Sequence, residues 1–133
     1  MNLIDEIKRD EGFKGSPYIC PAGFPTIGYG TKLPLDEYEA ELLLKHRLNK
    51  KIELLHVKLP QILRYPKRVR DVLINMSYQM GVSGVLKFKK MIRALDANDF
   101  KKASEEMLDS KWAREDGPGR AKRLSKKICV MTD

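Results

Sequence analysis

Residues 9–30 read Arg9-Asp10-Glu11-Gly12-Phe13-Lys14-Gly15-Ser16-Pro17-Tyr18-Ile19-Cys20-Pro21-Ala22-Gly23-Phe24-Pro25-Thr26-Ile27-Gly28-Tyr29-Gly30. A helix stops here and an extended region starts. Seven of the sixteen residues from Gly15 to Gly30 are Gly or Pro, and both residue types interrupt regular helix. Between them sit two short β-favouring runs, Tyr18-Ile19-Cys20 and Thr26-Ile27-Gly28-Tyr29. The spacing predicts a small hairpin or sheet with a turn near Pro21–Phe24.

Working outward, the residues on both sides are helical. Asn2 is a candidate N-cap, Asp5 and Glu6 suit a first turn, and Leu3, Ile4 and Ile7 form an apolar stripe. Gly12 closes this helix. From Leu35 to about His56 acidic residues come early (Asp36, Glu37, Glu39, Glu41) and basic ones late (Lys45, Arg47, Lys50, Lys51). That order complements the helix dipole. Tyr38, Leu42, Leu48, Ile52 and Leu55 are expected to form its buried stripe. A further helix is expected over Lys67–Met80, with Val69, Val72, Leu73, Met76 and Met80 inward and breaks at Gly81 and Gly84. Shorter ones follow near 85–95, 99–110 and 118–127, the last with Pro118 at a first helical position. The fold class is therefore α+β and mainly helical. One domain is expected over 1–133: a small β-containing lobe about 12–34, a long connecting helix about 35–56, and a helical lobe about 57–133 joined by the N-terminal helix.

The chain has 133 residues, 26 Lys+Arg and 18 Asp+Glu, a net charge of +8. Residues 1–66 hold 10 basic and 9 acidic residues, a net +1, and residues 67–133 hold 16 and 9, a net +7. One basic face, supplied by the second half, would favour an anionic partner surface. With 42% apolar residues the chain can build a core. Its longest apolar run, Ile128–Met131, is four residues, against roughly 20 for a membrane helix. Neither membrane insertion nor a secretory segment is expected. Two cysteines are too few for a disulfide framework.

Glu11 is the first chemical candidate. It stands where the first helix meets the Gly-rich hairpin, so its carboxyl would face a cleft, where partial desolvation favours the proton-bearing form. Otherwise it is a surface glutamate at a helix end. Cys20 and Thr26 would lie on neighbouring strands and could point to one face. The thiol could attack, or the pair could hold a water. Equally, Cys20 could be a small buried hydrophobe. His46 and His56 fall about 80° apart on one helix, and no metal-ligand spacing is present, so no metal and no cofactor are expected. Gly28-Tyr29-Gly30 lacks the rest of a phosphate loop. The run Arg120, Lys122, Arg123, Lys126, Lys127 lacks interleaved aromatics, so nucleic acid is not expected as a partner.

Glu11, eight residues, Cys20, five residues, Thr26 resembles the Glu–Asp/Cys–Thr triad of the phage-type lysozymes (endolysins). Two further blocks resemble the family in the same order: Ile74-Asn75-Met76-Ser77-Tyr78-Gln79-Met80-Gly81 with Gly84, Val85 and Phe88, and Lys111-Trp112 with Pro118 and Arg120-Ala121-Lys122-Arg123. The resemblance implies a two-lobe fold with the active site between the lobes. It implies a bacteriolytic glycosidase that hydrolyses the β-1,4 bond between N-acetylmuramic acid and N-acetylglucosamine in peptidoglycan. Glu11 carries over as general acid and Thr26 as the residue near the attacking water. Tyr78 and Gln79 carry over as substrate-binding positions, Arg120 as the basic residue facing Glu11, and Arg123 as a partner of Asp10. Cys20 stands where some members carry Asp and others Cys, and can be nucleophile, base or spacer. Lys32, Met91 and Glu106 depart from the family pattern, so no role carries over to them. The resemblance also implies a monomer that stays in the cytoplasm until a holin opens the membrane, then acts on the host wall. A wall-binding module without catalysis is the alternative.

Overall fold

A computed structural model describes residues 2–130. The chain groups into two compact units, residues 1–44 and 45–133. In the first, α1 spans Leu3–Glu11. The Asn2 side chain accepts from the Asp5 N–H at 2.8 Å, and Gly12 leaves the helix at φ +71° while its N–H closes on the Lys8 carbonyl. Three antiparallel strands follow in the order β1 (Lys14–Ile19), β2 (Pro25–Gly28) and β3 (Thr31–Lys32). Tyr18 pairs with Thr26 and Ile19 with Pro25, and the register slips between Lys14 and Tyr18. Pro17 lies in that slip; it has no N–H to give a ladder.

The hairpin expected from the Gly/Pro spacing forms, with its turn at the expected place. Gly23 donates its N–H to Cys20 O at 2.8 Å, and Cys20 donates to Phe24 O at 2.9 Å. Pro21 follows Cys20, the position where its fixed φ suits a turn. The third strand, which pairs Thr26 with Lys32 and Ile27 with Thr31, is absent from the sequence reading. Two residues offer too short an alternation to announce a strand, and only pairing creates it.

The helix α2 spans Glu37–Lys58, two residues later than expected at each end. Its start is fixed by a reciprocal cap: Glu39 N–H donates to Asp36 Oδ1 at 2.8 Å, and Asp36 N–H donates to Glu39 Oε1 at 3.0 Å. The expected buried stripe is only half present. Leu55 is buried and Leu48 and Ile52 are half-buried, whereas Tyr38 and Leu42 are exposed. The reason is that the buried apolar core lies wholly in residues 45–133; among the described residues Thr26 is the one buried residue of the first unit.

In the second unit a 3₁₀ turn (Pro60–Arg64) leads to α3 (Lys67–Leu86), then α4 (Lys89–Asp96), α5 (Phe100–Leu108), a π turn (Trp112–Asp116) and α6 (Pro118–Cys129). Pro118 occupies the first turn of α6 as expected. The two expected breaks in α3 behave differently. Gly81 is non-helical at φ 80°, ψ 160°, and the helix resumes after it. Gly84 does not break the helix; a Cβ there would come within 2.9 Å of the Met80 side chain. Its glycine serves close packing. Val69, Val72, Leu73 and Met76 of α3, with Leu55, Leu95, Met107, Leu124 and Ile128, are buried in one core. Met76 has no exposed surface. Met76→Ala is expected to lower unfolding free energy by about 2–5 kcal/mol, read from the urea midpoint at unchanged slope.

Candidate active site

Glu11 is the last residue of α1. Its carboxylate lies against Gly30, in the turn between β2 and β3: a Cβ built on Gly30 would stand 2.6 Å from Oε2 and 2.9 Å from the carboxyl carbon. Gly30 has φ +73°, the left-handed region that favours glycine. The Glu11 carboxylate therefore holds this place only because position 30 has no side chain. The crowded group is the far end of a flexible glutamate, so Gly30→Ala displaces Glu11 more than it disturbs the fold. We expect a stability loss of about 1–2 kcal/mol from the backbone. Any rate that depends on the placement of the Glu11 carboxyl should fall about 10²-fold, the effect of a roughly 1 Å misplacement of a reacting group. Denaturation midpoints and initial rates measured on the same preparation check both.

Cys20 directly follows β1, on the same face as Tyr18 and hence as Thr26, which pairs with Tyr18. The turn folds donors around its sulfur. The thiol is held below its ordinary value chiefly by the backbone N–H of Phe24, with further help from the Thr26 hydroxyl, the Ala22 N–H and the Lys32 charge, against an opposing effect of desolvation. Thr26 is 2% exposed. Its hydroxyl has a single proton, which is donated to the Phe24 carbonyl at 2.8 Å. Turned toward the sulfur, the same proton favours the thiolate. Thr26 can thus answer the charge state of Cys20 by rotating one bond. Lys32, to which no role was assigned from the sequence, lies over the Phe24 ring at 4.9 Å and acts on Cys20. Only the strand pairing brings it there.

The other expected site residues belong to the second unit. Gln79 accepts the Trp112 indole N–H at 2.9 Å. Gly117 makes room for both: a Cβ there would lie 3.0 Å from Trp112 Nε1 and 3.3 Å from Gln79 Nε2. Trp112 also meets Phe88 edge-on, at 6.2 Å and 86°. Arg120 donates to Asn75 twice, Nε to Oδ1 at 2.8 Å and Nη2 to the backbone carbonyl at 3.1 Å. Tyr78 lines a cavity of about 450 Å³ with Arg47, Lys50, Lys51, Leu54 and Val82. A larger cavity of about 730 Å³ has Phe88, Met91 and Trp112 among its walls and charges of both signs, including Lys90, Arg93, Glu106 and Asp109. Trp112 and Asn75 were not selected as site residues from sequence. Both lie in the blocks that resemble the family, and Trp112 is the chain's one tryptophan, but neither signal gives them a role. Among the described residues no group of three or more His, Cys, Asp or Glu side chains could hold a metal ion. Cys20 and Cys129 are not joined by a disulfide.

A small three-stranded antiparallel sheet in a mainly helical chain is an α+β fold. The model of the family described as phage lysozyme matches residues 8–127, and the chain belongs to that family. It is also similar to the pre-baseplate central spike protein Gp5 of Enterobacteria phage T4, with 28% identity over 156 aligned positions. That alignment covers 94% of this chain and 27% of the spike protein, so the chain spans about a quarter of that relative's length. Family membership points to a glycoside-hydrolase-like enzyme and a role in degrading cell walls. No helix among the described residues is long and apolar enough to cross a membrane.

Proposed function

We propose that the chain is a muramidase that cleaves the β-1,4 bond between N-acetylmuramic acid and N-acetylglucosamine. The observation that carries this reading is the hairpin site of a phage lysozyme family member: Glu11 set against Gly30, and Cys20 held toward the thiolate beside Thr26. Glu11 gives its proton to the leaving glycosidic oxygen as the bond to the anomeric carbon breaks. Water adds to that carbon and loses a proton. The Cys20 thiolate, with Thr26 orienting the water, is the base that takes it. Gln79 and Arg120, fixed by Trp112 and Asn75, are assigned to the glycan on the helical unit, and Tyr78 with them. The acting species is a monomer, and a holin opens its way to the wall.

Purified chain incubated with peptidoglycan should release new reducing ends. Retention on the wall with no rise in reducing ends would identify a binding module and overturn the reading. The similarity to a spike protein over 94% of the chain favours a second setting for the same chemistry, as part of a virion rather than a free endolysin. Its presence in purified particles, against its presence only in the cleared lysate, separates the two.

A further inference from the structure

Part of the basic excess of residues 67–133 lines one groove. A cavity of about 420 Å³ opens between α3 and α6, lined by Lys67, Arg68, Asp71, Val72, Asn75, Leu124 and Lys127. Its single acid is already engaged, since Asp71 pairs with Lys67 at 2.7 Å. Among the described residues the side chains of Arg68 and Lys127 have no hydrogen-bond or ion-pair partner. Asn75, also in the lining, uses its side-chain and backbone oxygens as acceptors for Arg120, so its carboxamide N–H groups are not used in that contact. Apart from Asp71 and the Asn75 oxygen taken by Arg120, the polar groups of the lining side chains are donors, and the buried Val72 and Leu124 are its apolar members.

The charge order of α3 adds to this. Its first turn holds Lys67 and Arg68 and no acid, and Pro66 provides no side-chain cap. Cations there oppose the helix dipole, the reverse of the arrangement in α1 and α2. An anion in the groove relieves that repulsion and pairs Arg68 and Lys127 together.

We propose that this groove is a binding site for a phosphate group borne by the bacterial envelope. Donors reach it from the first turn of α3, from the middle of α3 and from the last turn of α6. A tetrahedral phosphate offers oxygens in three directions, whereas a carboxylate offers two in one plane. Binding here is independent of hydrolysis at Glu11, so either reading can fail alone.

Titration of the full chain with inorganic phosphate, pyrophosphate and acetate at fixed ionic strength, followed by NMR, tests the site. Saturable shifts confined to Arg68, Asn75 and Lys127 are expected, with pyrophosphate tighter than phosphate and acetate without saturation. Arg68→Gln and Lys127→Gln should each weaken pyrophosphate by about tenfold, the scale of one charge-assisted contact. Asp71→Asn should tighten it. Melting curves confirm that each variant folds. Shifts spread over all lysines without saturation, or affinity unchanged in the Arg68→Gln/Lys127→Gln double variant, would overturn the site. Retention on a poly(glycerol phosphate) polymer assigns the phosphate to a wall polymer, and retention on phosphatidylglycerol vesicles assigns it to a lipid headgroup. Retention on neither overturns the envelope assignment.

Discussion

Glu11→Gln is expected to lower the rate of glycosidic cleavage by about 10²–10⁴-fold, the contribution of one positioned general acid. The change is nearly isosteric, and Glu11 is exposed at the end of α1. Stability should therefore move by no more than about 0.5 kcal/mol. The amide keeps the shape that fits against Gly30, but it has no acidic proton for the leaving oxygen. Loss of rate with retained fold and retained wall binding assigns the proton to Glu11. Cleavage at the parent rate would remove Glu11 from the mechanism. Glu11→Asp sharpens the test. It keeps the acid and withdraws it by one methylene, so it should recover part of the rate, more at elevated substrate than the amide does. A residue that only packed against Gly30 would give the opposite order, with Gln the milder change.

The same site shows which features a sequence discloses. Asn2, Gly12, Pro118 and the Pro21–Phe24 turn were legible because each acts within a few residues of itself: a side-chain cap, a positive-φ exit, a fixed φ. The closeness of Cys20 and Thr26 was legible because the two flank one tight turn. What stayed hidden depends on pairing and packing with other segments rather than on the residue's own conformation. Strand β3 exists only because Thr31 and Lys32 find Ile27 and Thr26. Lys32 therefore could not be connected with Cys20. The Tyr38 and Leu42 expectation failed for a related reason. Periodicity shows which face of a helix is apolar, but burial also needs a core opposite it, and the core begins after residue 44. Gly84 misled because one residue type serves two needs, backbone freedom at Gly81 and close approach at Gly84.

Cys20→Ala should lower the cleavage rate by about 10²–10³-fold, while Cys20→Asp should keep most of it, because a proton-accepting group near the anomeric carbon is worth roughly that factor. Folding of the hairpin should survive both changes, since its turn is closed by backbone bonds of Gly23 and Cys20 rather than by the sulfur. The pH profile makes the assignment specific. A base must be unprotonated, so activity rises as pH climbs through the thiol's ionisation. The N–H of Phe24, then Thr26, Ala22 and Lys32, place that rise below the ordinary thiol range, near pH 8.5 in the absence of such donors. In Cys20→Asp the limb due to this residue should drop toward about pH 4, the ordinary carboxylate value. Lys32→Ala removes one cation that favours the thiolate, so its limb should move up in pH with the maximal rate little changed. Alkylation of Cys20 should silence the parent and spare Cys20→Asp. If the Ala variant and the alkylated parent both cleave at full rate, the sulfur is only a spacer, and the low ionisation that the turn enforces would then belong to the geometry of the turn and not to the reaction.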